Sequence, residues 1–179
     1  MSANKARPHK AYLARPNHYH IMRQILFVVC LLCIGTIPVN AQISCVPNGI
    51  SFYTQAQIDA FPSMYPGCSV IEGYVNIDTR DASNVDSLIQ ITQIQGNLSM
   101  SENNITNLSG FANLTSVDGN ARFTENSFSS FHGMDSLVYV GGNFSVSESS
   151  GLDSLDGLQN LTFIGGNLDL EDNSSLINI

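Results

Sequence analysis

Tryptophan is absent from the 179-residue chain, and basic side chains are scarce: 7 Lys and Arg stand against 15 Asp and Glu. Five of those seven (Lys5, Arg7, Lys10, Arg15, Arg23) precede residue 42, in a stretch without a single acid. Only Arg80 and Arg122 follow, among all fifteen acids. A body this acidic repels phosphate backbones and anionic lipid, which argues against nucleic acid and anionic membrane as partners. Histidine is thin as well. After residue 41 only His132 remains, so there is no second imidazole for a metal pair. A solvated turn residue is the expectation for His132, whose repeat position is filled by Ser109 and Asp156 in neighbouring repeats.

A long hydrophobic run is also lacking. Ile25 to Ile37 ("ILFVVCLLCIGTI") has thirteen residues, short for a bilayer span and suited to the apolar region of a secretory signal. Arg23 precedes it and "PVNAQ" follows, with Val39 and Ala41 as the small residues before an expected cut at Ala41/Gln42. A short transmembrane anchor is the alternative. The expected signal is 22–41, with 1–21 an extended or mis-assigned start, since Met22 stands directly before it. Cys30 and Cys33 leave with the signal, so their C-x-x-C spacing is no redox or zinc motif. Cys45 and Cys68 remain in a chain bound for an oxidising compartment, and a disulfide between them is expected. Closing that loop is worth roughly 3 kcal/mol. Lipidation of Cys45 is the rival, although "QISC" lacks the leucine usual three residues before such a cysteine.

What the chain has in abundance is one phrase: "IEGYVNI" (71–77), "IQGNLSM" (94–100), "VDGNARF" (117–123), "VGGNFSV" (140–146) and "IGGNLDL" (164–170). The glycines Gly73, Gly96, Gly119, Gly142 and Gly166 are spaced by 23, 23, 23 and 24 residues. Self-similarity at this period signals stacked repeats. Within each repeat two apolar residues stand two apart, then five stand three apart. Leu98 and Met100 are followed by Ile105, Leu108, Phe111, Leu114 and Val117; Phe144 and Val146 by Leu152, Leu155, Leu158, Leu161 and Ile164. The pair two apart predicts a short strand with one face inward. The run three apart is neither helix nor strand, and predicts tight 3₁₀-like turns.

No single coil buries such a set alone; stacked coils share it. The expected fold is therefore mainly β: a solenoid of about five 23–24-residue coils, roughly 20–25 Å long at one strand spacing per coil. Gly at the corner permits a tight turn or a positive φ. Asn97, Asn120, Asn143 and Asn167 recur beside it, placed to hydrogen-bond along the axis and to turn backbone. Residues 42–70 read as an N-terminal helix-and-disulfide cap. Thr54-x-x-Gln57 is a capping-box pattern opening a helix, "TQAQIDAF", stopped by Pro62. Residues 71–179 are the repeats, and Ile179 falls in mid-repeat. Such an uncapped edge is expected to pair with something, self-association included.

Two columns are candidate sites. The outward strand positions Ser99, Arg122, Ser145 and Asp169 form a candidate binding face. Glu102, Glu125, Glu148 and Asp172 recur just after the strand, with Asn103, Asn126 and Asn173 beside them. Calcium would relieve the repulsion in this second column; a solvated acidic ladder is the plainer reading. Paired carboxylates on a β-helix also raise glycosidase or lyase chemistry. Every acid here recurs by repeat position, which argues for architecture, and no catalytic residue is assigned. Asn-x-Ser/Thr occurs at Asn97, Asn104, Asn107, Asn113, Asn143, Asn160 and Asn173, where crowded turn residues account for most of the matches.

The segment "CVPNGISFYTQAQIDAFPSMYPGCSVIEGYVNI", followed by "L..L.GL..L..IGGNL.L" units, resembles the receptor L domain over about residues 45–179. That family is the leucine-rich-repeat-like, right-handed β-helix of growth-factor receptor ectodomains. The likeness is greater to secreted bacterial surface proteins carrying the same repeats. The resemblance implies a non-catalytic binding or adhesion module, secreted or at a cell surface, with a protein or glycan ligand; no cofactor is assigned, calcium at the acidic column being the alternative named above. A structural spacer within a larger surface protein is the rival from another class, and a carbohydrate-active β-helix enzyme the third reading.

Overall fold

The computed structural model describes residues 42–177. The expected extended start (1–21), the signal (22–41) and the last two residues of the final repeat lie outside the described residues. Residues 42–179 form a compact unit of their own.

In chain order the strands are β1 (Ile43–Cys45), β2 (Ile50–Phe52), β3 (Cys68–Ile71), β4 (Val75–Asp78), β5 (Gln93–Ile94), β6 (Leu98–Ser101), β7 (Ser116–Val117), β8 (Ala121–Thr124), β9 (Tyr139–Val140), β10 (Phe144–Ser147), β11 (Phe163–Ile164) and β12 (Leu168–Glu171), with helix α1 (Gln55–Met64) after β2. Odd-numbered strands form one six-stranded sheet and even-numbered strands another. All pairings are parallel. From β4 onward each residue of the second sheet pairs with its counterpart in the next repeat: Val75 with Leu98, Leu98 with Ala121, Ala121 with Phe144, Phe144 with Leu168.

The apolar pairs two apart are the inward residues of the second sheet, as the alternation predicts. Val75, Ile77, Leu98, Met100, Ala121, Phe123, Phe144 and Val146 are buried. The run three apart has a backbone cause. Its apolar residues are tied to one another by N–H to carbonyl bonds three residues back: Leu88 to Val85 (2.9 Å), Ile91 to Leu88 (2.9 Å), Phe111 to Leu108 (2.8 Å), Leu114 to Phe111 (2.9 Å). Each such turn returns the next apolar side chain to the same inward direction. Two of these turns are regular 3₁₀ segments, Asp86–Leu88 and Ser109–Phe111. The fifth residue of the run (Ile94, Val117, Val140, Ile164) belongs to the short strands of the first sheet. A two-residue strand offers a single inward side chain, so no alternation announces it.

The corner glycines serve a different purpose from the positive φ anticipated. Gly96, Gly119, Gly142 and Gly166 are not left-handed; among the described residues the positive-φ glycines are Gly49, Gly67, Gly133 and Gly157. The corner position is closed to a Cβ instead. On Gly119, Gly142 and Gly166 it would collide with the carboxamide of Asn97, Asn120 and Asn143 from the preceding repeat. Those carboxamides each accept the backbone N–H one repeat on, from Asn120 (2.8 Å), Asn143 (2.8 Å) and Asn167 (2.9 Å).

The cap forms as expected at its start and differs at its end. Thr54 accepts the N–H of Gln57 at the helix N-terminus, and the Gln57 carboxamide reaches back to the N–H of Tyr53 (2.6 Å). Pro62 does not stop α1 but lies inside it. In the last turn its missing N–H costs one bond, and its fixed φ suits the helix; the chain leaves it at Tyr65, whose N–H bonds Phe61 (2.9 Å). Ile58 and Phe61 are buried against the core. The Gln55 carboxamide accepts from the N–H groups of Ser83 (2.9 Å) and Asn84 (3.1 Å), which locks the cap to the first repeat. Cys45 and Cys68 form the expected disulfide, with Cα atoms 5.8 Å apart.

Candidate functional site

The register brings one candidate face together. Along the outer side of the second sheet Asn76 pairs with Ser99, Ser99 with Arg122, Arg122 with Ser145, and Ser145 with Asp169. Two residues further on, a second column runs Asp78, Ser101, Thr124, Ser147 and Glu171. The Thr124 and Ser147 hydroxyls lie 3.1 Å apart. Arg122, Ser145, Ser147, Asp169 and Glu171 line an open hollow of about 160 Å³. Its walls set a cation at one side and two carboxylates at the other, with hydroxyls between. Such a surface offers charge and hydrogen-bonding groups rather than an apolar cavity.

The acidic column occupies one corner of each repeat, with a backbone feature that composition does not announce. Glu102, Glu125, Glu148 and Asp172 all have positive φ, at 48°, 53°, 54° and 53°. Their side chains are exposed. Among the described residues no group of three or more His, Cys, Asp or Glu is placed to hold a metal ion. One carboxylate has a basic partner: Glu102 meets Arg80 at 3.2 Å.

The neighbouring asparagines turn inward and are consumed by the fold. Asn103 donates to Asn126 (2.6 Å), and Asn126 donates to the Met100 carbonyl (3.1 Å). Ser149 takes the equivalent place in the next repeat, accepting the N–H of Asn126 (3.2 Å), while its own N–H bonds Asn173 (3.0 Å). Asn173 in turn donates to the Val146 carbonyl (2.9 Å). Asn103, Asn126 and Ser149 are buried, and among the described residues no buried side-chain nitrogen or oxygen lacks a partner.

Several Asn-x-Ser/Thr asparagines are likewise structural. Asn104, Asn113 and Asn160 donate to the carbonyls of Arg80 (2.6 Å), Ile89 (2.9 Å) and Asp135 (2.7 Å), each one repeat back. His132 is exposed, with Nδ1 3.7 Å from the Asp135 carboxylate. The N–H of Gly133 donates to that carboxylate (2.9 Å) and, with a smaller pull from His132, holds Asp135 below the ordinary carboxylate value.

At the last strands a larger hollow of about 350 Å³ is lined by Phe144, Leu155, Leu158, Leu161, Ile164 and Leu168, together with Asp156 and Gln159. β11 and β12 are last in their sheets, so the expected pairing edge is the rim of an apolar hollow. Among the described residues no helix is long and apolar enough to cross a membrane.

Two parallel sheets, a terminal disulfide and a 23-residue register meet in the middle of the chain, and there residues 67–132 match the family model described as Receptor L domain. What this stretch shares with the family is its sequence pattern. The match covers less than half of the chain, and the strand register of the matched segment carries on beyond it through β12. No curated protein and no solved structure matches the chain.

Two features escaped the reading from sequence. The inward Asn–Ser ladder was visible only as polar residues beside acids. The stacked pair Tyr139 and Phe163, on the outer side of the first sheet, had a signal in the phrases themselves: "VGG" and "IGG" where earlier repeats read "IQG" and "VDG".

Proposed function

We propose that the chain is an extracellular ligand-binding or adhesion module of receptor L domain type, using the outer face of the second sheet to meet a protein or glycan at a cell surface. The observation that carries this reading is the parallel register that aligns Ser99, Arg122, Ser145 and Asp169 on one open face. The family match over residues 67–132 supports a binding rather than a catalytic role. The recurrence of each acid by repeat position supports the same choice.

The finer architecture belongs to this reading. Strict alternation of strands between two sheets supports a right-handed solenoid of about five 23–24-residue coils on a 42–70 cap. Removal of 22–41 as a signal is supported by its composition, and an oxidising destination by the Cys45–Cys68 bridge. A bacterial source rests on the resemblance alone. The acidic corner serves as solvated charge, with calcium as the alternative. Self-association is supported by the apolar hollow beside β12, but antiparallel pairings of β12 with a copy centred on Asp169, Leu170 or Glu171 set acid against acid, which opposes those registers.

A structural spacer is the second reading, favoured by the repeat-to-repeat hydrogen bonds that run along the whole unit. An array of cell-surface glycans and matrix proteins, probed with the purified chain with and without calcium, separates the two. The binding reading predicts saturable capture of at least one partner; silence across the array in both conditions sinks it and leaves the spacer.

A further inference from the structure

We propose a second contact surface, on the outer side of the first sheet, fitted to a cationic protein segment with apolar side chains beside its Arg or Lys. It does not depend on the face proposed above. The outward positions of that sheet run in register from Gln93 through Ser116, Tyr139 and Phe163, while Val70, in line before them, is covered. Two residues on, facing the same way, stand Glu72, Gln95, Asp118, Gly141 and Gly165. The two columns change character together. Gln93 is followed by Gln95 and Ser116 by Asp118, but the aromatic Tyr139 and Phe163 are each followed by glycine.

Space explains part of that coupling. A Cβ on Gly141 would collide first with the Asp118 carbonyl and one on Gly165 with the Gly141 carbonyl, and they would also stand 3.1 Å from the Tyr139 hydroxyl and 3.4 Å from the Phe163 ring. Backbone contact therefore requires the glycines, and the space they leave is the space beside the rings. The rings stack on each other, with centroids 5.0 Å apart and planes within 4°. Both rings stay open to solvent, Tyr139 at 39 % and Phe163 at 50 % exposure, with Val138 beside them at 44 %. An ordered aromatic pair presented outward is a ready anchor, because little side-chain freedom remains to be lost on contact.

Charge selects the occupant. On the strand next to Tyr139, Asp118 presents a carboxylate held by the Gln93 carboxamide at 3.0 Å. Among the described residues no cation neutralises it. Arg80 and Arg122 are the only Arg or Lys side chains among the described residues; Arg80 pairs with Glu102, and Arg122 stands on the other sheet. Ser116, small, leaves the second face of Tyr139 open beside Asp118. A guanidinium or ammonium would meet the carboxylate and that ring face together, while apolar neighbours cover Phe163 and Val138. A neutral saccharide would hydrogen-bond the carboxylate without compensating its charge. A second copy would bring the same acidic surface against its own charge.

The test uses the full chain and a fluorescein-labelled twelve-residue peptide of alternating Arg and Leu, with its Glu–Leu counterpart and cellohexaose as controls. The proposal predicts saturable binding of the Arg–Leu peptide alone, with shifts of the Gly141 and Gly165 amide resonances. Tyr139→Ser/Phe163→Ser and, separately, Asp118→Asn should each weaken it by about tenfold, and Arg122→Ala should leave it unchanged. Asp118→Asn carries the test if the double variant fails to fold. Unchanged affinity in these variants means diffuse charge attraction and overturns the proposal. So do failure of the peptide to bind, shifts confined to the second sheet, cellohexaose shifting the same amides, or a dimer that the double variant abolishes.

Discussion

Asn103 donates its carboxamide to Asn126 across 2.6 Å, inside the protein and 23 residues along the chain. The bond joins consecutive repeats inside a largely apolar interior, and it adds to the apolar stack in fixing their register. A one-residue slip would still find apolar partners for some side chains, but it would leave these amides unpaired.

Asn126→Ala removes the acceptor of Asn103 and the donor to the Met100 carbonyl. Leaving buried polar groups unpaired costs about 1–3 kcal/mol each. The variant should lose about 2–4 kcal/mol of unfolding free energy in urea, with an unchanged m-value.

Glu125 holds a left-handed backbone at φ 53°, an exposed side chain, and acids at the same corner in the repeats on either side. Glu125→Asn eases the strain, since Asn tolerates that region, and removes like-charge repulsion. A gain of about 0.5–1 kcal/mol is expected, read as a raised urea midpoint. The same change at Thr124, whose φ is not positive, should give no gain.

Gly119→Ala places a methyl against the Asn97 carboxamide and the Gly96 backbone. Backbone must shift to admit it, so thermal unfolding should report a loss of about 1–3 kcal/mol. Alanine at Gly151, whose Cβ would have 3.9 Å to its nearest neighbour, should be tolerated far better.

Asp135 titrates below the ordinary carboxylate value, chiefly because the Gly133 N–H donates to it and secondarily because of His132. A depressed folded-state pKa gives stability that is present above the unfolded value and is lost as pH falls through the folded one. Asp135→Asn should therefore narrow the gap between stability at neutral pH and near pH 2–3 slightly, with both groups exposed and screened. An NMR titration should find the Asp135 carboxyl below that of an unfolded peptide.

The repeat, its period and nearly all of its inward side chains are legible in the sequence, because every repeat states the same pattern of two and three. The helix cap and the disulfide are legible too, from Thr54, Gln57 and the lone pair of cysteines after residue 41. The first sheet is not, since strands such as Gln93–Ile94 carry one inward residue each. Pro62 misleads because a proline near a helix end is compatible with the last turn. The corner glycines are right in position, but of the two causes offered, a tight turn or a positive φ, the positive φ is not there: the neighbouring repeat's Asn97, Asn120 and Asn143 exclude a side chain, and that contact is invisible to local reasoning. For the site, the column Ser99, Arg122, Ser145 and Asp169 follows from period two alone. The Tyr139–Phe163 stack needs the comparison of one repeat with the next.

The measurement that tests the functional reading most directly is the affinity of an array-captured partner for the chain and for Arg122→Ala. Arg122 is exposed on the second sheet between Ser99 and Ser145, and removing it should leave the melting curve in place. A drop in affinity of about tenfold or more, with folding intact, is the predicted result. A partner held equally well by the variant would contradict a binding face centred on this strand.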